Sequence, residues 1–74
     1  MGIEEFSSLS PAAQAGLTWD QGVFLGHRDQ DGTRYVLYQL EGFYVEFHYH
    51  IADNKLTGQA AFADTAFLDP YFEQ

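Results

Sequence analysis

The stretch Phe43-Tyr44-Val45-Glu46-Phe47-His48-Tyr49-His50-Ile51 decides the fold. Phe43, Val45, Phe47, Tyr49 and Ile51 alternate with Tyr44, Glu46, His48 and His50. Successive side chains of a strand leave opposite faces of a sheet. The pattern therefore predicts a central strand with one apolar face and one mixed face.

Turn chemistry extends the sheet on both sides. Asp31-Gly32 upstream suits a type I′ hairpin, whose two central residues need positive φ. Glu41-Gly42 supplies the next turn and Asp53-Asn54 a third. The expected strands are Val23 to Arg28, Thr33 to Leu40, Phe43 to Ile51 and Lys55 to Ala63. Two-residue turns set Leu40 opposite Phe43, Tyr38 opposite Val45 and Val36 opposite Phe47. They set Leu25 opposite Tyr38 and Val23 opposite Leu40. They also set Leu56 opposite Ile51, Ala60 opposite Phe47 and Phe62 opposite Val45. All three hairpins then gather apolar residues on one face, and a one-residue slip would undo that.

Before the sheet, Ser10-Pro11 reads as an N-cap followed by proline at the first helical position. A helix over Ala12 to Gln21 follows, ended by Gly22, with Ala12, Ala15, Gly16 and Trp19 on its packing stripe. Residues Ile3, Phe6 and Leu9 suggest a loose helical turn or an arm. After the sheet, Asp64 starts a short helix carrying Phe67, Leu68, Tyr71 and Phe72, broken near Pro70. The expected fold is α+β over a single domain, 1–74: an N-terminal helix, a four-stranded antiparallel β-meander in order 1-2-3-4, and a short C-terminal helix.

Composition narrows the function. The chain of 74 residues has no cysteine, so neither a disulfide nor a thiolate metal site supports its small core. Seven Phe, five Tyr and one Trp supply the apolar bulk instead. The net charge is −8, with Arg28, Arg34 and Lys55 as the only cations. That excludes a phosphate-binding footprint and disfavours an anionic membrane surface. No apolar run approaches a membrane-spanning length, and the acidic start lacks a basic leader. A cytoplasmic protein is the expectation.

The residues Trp19, Gly22-Val23-Phe24-Leu25, Leu37-Tyr38, Phe43-Tyr44-Val45-Glu46 and Pro70-Tyr71 resemble a group of short uncharacterised bacterial proteins with an N-terminal helix followed by a small antiparallel meander. The resemblance runs from Ser10 onward. It implies the fold and a bacterial source, and carries over no functional residue.

Chemistry-bearing residues are few. His48 and His50 stand at i and i+2, roughly 6–7 Å apart on one strand face, a spacing at which two imidazoles can approach one ion. Glu46 is one step further and no good third ligand is expected on the neighbouring strands. His27 falls on the apolar face near the sheet's end, where a structural role is expected. No serine has a paired base, and the glycines form no phosphate loop. The mixed face is the strongest functional feature. Phe24, Tyr35, Leu37, Tyr44, Glu46 and His48 are expected to form an interaction face with many aromatics and few charges. The reading is a non-enzymatic protein-interaction module without cofactors, pairing with itself or another protein. The alternative is a small-molecule or metal-binding protein using His48 and His50. On the first reading, Leu37→Lys is expected to weaken association and spare the fold.

Overall fold

The computed structural model describes residues 2–63. Two helices precede four strands: α1 (Ile3–Ser7), α2 (Pro11–Gln21), β1 (Val23–Gln30), β2 (Thr33–Leu40), β3 (Phe43–His50) and β4 (Lys55–Phe62). The strands form one antiparallel sheet in the order β1-β2-β3-β4. The expected short C-terminal helix, from Asp64 through Phe67, Leu68, Pro70, Tyr71 and Phe72, lies outside the described residues.

Helix α2 begins where capping chemistry places it. Ser10 is extended, its Oγ accepts from the Ala13 N–H at 3.2 Å, and Pro11 occupies the first turn. Gly22 ends the helix for a steric reason. Its φ is −77°, and a Cβ there would sit 2.5 Å from the Thr18 carbonyl oxygen. The packing stripe differs from the expected one. Ala15 and Thr18 are buried, Gln14 and Leu17 half-buried, whereas Ala12, Gly16 and Trp19 are exposed. Residues at i, i+3 and i+4 share a helix face, and Thr18 can join it because its Oγ1 donates to the Gln14 carbonyl at 2.8 Å.

The central hairpin has the expected register: Leu40 faces Phe43, Tyr38 faces Val45 and Val36 faces Phe47. The outer hairpins each depart from it. Next to the Asp31-Gly32 turn, where both residues have positive φ, β1 pairs as expected from Gly26 to Gln30. A bulge then leaves Leu25 as an extra residue, so Phe24 faces Tyr38 and Val23 faces Gln39. The third turn spans Ile51 to Asn54 instead of two residues, with Asn54 at φ 54° and the Ile51 N–H donating to the Gly32 carbonyl at 3.0 Å. His50 therefore pairs with Lys55 and Tyr49 with Leu56. A second bulge passes over Thr57, after which Phe47 faces Gln59, Val45 faces Ala61 and Tyr44 faces Phe62. Gln59 and Ala61 belong to the apolar face, and Ala60 and Phe62 to the mixed one, the reverse of the expectation.

The helices pack on the apolar face. Phe6, Ala15, Leu40, Phe43, Val45 and Phe47 form the buried cluster, with Ile3, Leu9, Leu17, Tyr38, Tyr49 and Ala61 against it. Burying one such side chain fully contributes roughly 1.5–3 kcal/mol. The Phe6 ring lies 5.2 Å from Phe43, so α1 closes the core over the start of β3.

Candidate interaction surfaces

The mixed face carries a row of polar and aromatic groups across three strands. The Arg28 guanidinium lies 4.0 Å from the Tyr35 ring centroid, a cation–π distance. Tyr35 meets His48 edge-on at 4.9 Å. His48 Nε2 lies 2.9 Å from Glu46 Oε1, a hydrogen bond in which the carboxylate accepts. Pairing places these groups side by side, since Arg28 faces Tyr35 and Tyr35 faces His48. Tyr44 stacks on Phe62 at 5.7 Å.

The structure thus brings Tyr35, Leu37, Tyr44, Glu46 and His48 to one face, but not Phe24, which the Leu25 bulge turns toward Tyr38 on the helix-bearing side. Leu37 is 2 % exposed although it lies outside the helix-side cluster. Tyr35, Tyr44, Glu46 and His48 are half-buried. This is not the open apolar surface expected from the strand pattern.

The two histidines engage different acids. His50 Nδ1 lies 3.3 Å from Asp53 Oδ2, while His48 engages Glu46. Among the described residues no group of three or more His, Cys, Asp or Glu could hold a metal ion. His27 faces Val36 and is exposed.

An open aromatic surface is on the other side, where Trp19 is 54 % and Phe24 56 % exposed. Of Phe24's exposed neighbours in β1, Val23 lies on the mixed face beside Gln39 and Leu25 is the bulged residue. Phe24 meets Tyr38 edge-on at 5.9 Å, Tyr38 meets Phe47 at 5.7 Å, and Phe47 meets Trp19 at 5.6 Å. The four rings make a row from the edge strand to α2, buried at Phe47 and open at both ends. Beside the row is a hollow of about 180 Å³ lined by Arg34, Val36, Tyr49, Ile51 and Asn54. Burial, and secondarily Tyr38, holds the Tyr49 hydroxyl above its ordinary pKa, with a Trp19 hydrogen bond acting the other way. Arg34 closes the hollow's polar side and pairs with Asp29 at 2.8 Å, and the hydrogen bond it donates keeps the Asp29 carboxyl below its usual range.

Trp19, Val23 and Leu25 were not singled out from the sequence as surface residues. One signal was present: three consecutive apolar residues on a strand cannot all reach one core face. Among the described residues no helix is long and apolar enough to cross a membrane. Comparison with protein-family models, with curated proteins and with solved structures returned no match.

Proposed function

We propose that the chain is a small, non-enzymatic interaction module of the bacterial cytoplasm that binds a protein partner through an aromatic surface of its sheet. The observation that carries this reading is the ring row itself, whose two ends, Phe24 and Trp19, stand more than half exposed on the helix-bearing face. Scattered surface hydrophobes need no explanation, but a clustered patch of large ones is characteristic of a contact surface. Aromatic anchors with few charges fit the composition of interface centres. The hollow of about 180 Å³ is below the roughly 300–1,000 Å³ of small-molecule pockets, which favours a protein contact over a metabolite. The bacterial part of the reading rests on the resemblance.

The test is a photo-crosslinking residue placed at Phe24 in bacteria producing the protein. The reading predicts one discrete adduct after irradiation, lost when Trp19→Asp is added. Recovery of the unmodified chain alone would contradict it.

A further inference from the structure

We propose that the partner is a second copy of this chain, docked about a two-fold axis through the half of the helix-bearing face that α1 and α2 leave uncovered among the described residues. This rests on the reading of that surface as a contact site.

The surface is self-complementary. A half-exposed aromatic side chain and a hollow lie on the same face, displaced along the strands. Phe24 is level with Tyr38, while the hollow lies at Arg34, Val36, Tyr49 and Ile51, toward the opposite end of β2. The midpoint falls near the His27–Val36 pair. A two-fold axis there would bring Phe24 of each copy onto the hollow of the other, as an isologous contact requires. The hollow's volume suits one side chain of that kind.

Sheet extension is the rival geometry, and both edges resist it. β1 is interrupted by the bulge at Leu25, and β4 by the bulge at Thr57 and by Lys55 at its start. Bulges and lysines are devices that blunt edge strands against pairing. The face is left for association.

Charge favours the same surface. Two chains of charge −8 repel, yet around the hollow Asp29 and Arg34 neutralise each other. Two rings of roughly 150–250 Å² at about half exposure offer on the order of 200 Å² per copy, to which Leu25 and Ile51, 46 and 43 % exposed, add. A pair stays under the roughly 1,000 Å² of a stable interface, so the dimer is weak and dissociates on dilution.

The experiment is sedimentation of the purified full chain, with Phe24→Lys and Ile51→Glu made separately. Both residues are exposed, so the variants should keep wild-type circular dichroism. The wild type is expected at twice the 8.4 kDa chain mass when concentrated, and each variant at the monomer mass. An equal mixture of the two variants should regain the dimer mass, because the new lysine of one meets the new glutamate of the other. A wild type monomeric at every concentration, variants that remain dimeric, or a mixture that stays monomeric would each overturn the proposal. A monomeric wild type whose Phe24 crosslinks to a different protein would overturn only the second copy. A monomer with no crosslink would overturn the contact site as well.

Discussion

Gln59 Nε2 donates to Gln14 Oε1 at 2.7 Å, tying the middle of α2 to the edge strand β4. The same amide lies 3.2 Å from the Pro11 carbonyl. Gln14 Nε2 in turn donates to the Phe6 and Leu9 carbonyls at 3.0 and 3.3 Å. One pair of glutamines therefore joins α1, α2 and β4. The anchor draws the helices toward β4 and leaves the β1 side of the same face open, which is where Phe24 is found.

Gln14→Ala should accordingly destabilise the chain by more than an ordinary surface change. A hydrogen bond contributes roughly 0.5–1.5 kcal/mol net, and this residue takes part in three. The expected loss is about 1–3 kcal/mol in urea unfolding. A loss within error of zero would mean the helices are held by apolar packing alone.

Phe47 is fully buried and touches Trp19, Tyr38 and Tyr49. Phe47→Ala should cost roughly 3–5 kcal/mol, a large part of the total stability of so small a domain. An unchanged melting curve would remove Phe47 from the centre of the core.

Leu37→Lys should now unfold or strongly destabilise the chain, contrary to the effect expected from the strand pattern. A lysine in a site that leaves leucine 2 % exposed must bury its charge or push its surroundings apart. Circular dichroism of the variant decides the point: a native spectrum with a wild-type melting temperature would show that this face is open to solvent.

The sheet was legible where turn and strand patterns agreed. Gly42, at φ 86°, and the unbroken alternation of β3 fixed the central register. The outer hairpins were harder because bulges add residues that no alternation marks. Leu25 follows two other apolar residues, so moving the register by one still leaves an apolar side chain facing Tyr38. In β4, Gly58, Gln59, Ala60 and Ala61 are too small or too similar to signal a face. The four-residue turn at Ile51 depends on a hydrogen bond to Gly32 in another hairpin, a tertiary contact that local turn chemistry cannot reveal. The placement of Phe24 followed from the misread register of the first hairpin.

Alkaline pH should weaken the fold through Tyr49. Its hydroxyl is held above the ordinary value of 10.0 by burial first and Tyr38 second. The unfolded chain therefore gives up this proton at lower pH than the folded one does. The contribution is fully present below pH 10.0 and is lost as pH rises through the higher folded value. Urea midpoints measured across that range should fall for the wild type and fall less for Tyr49→Phe. Equal slopes in the two proteins would show that Tyr49 is not responsible.

Trp19 is the one tryptophan in the chain and stands at the end of the ring row, so its emission reports directly on whether this surface is covered. The wild type should emit at shorter wavelength when concentrated and shift to longer wavelength on dilution, as Trp19 returns to water. Phe24→Lys should show the long-wavelength emission at every concentration. Identical, concentration-independent emission from both proteins would contradict the assignment of the Trp19–Phe24 surface as the place where two copies meet.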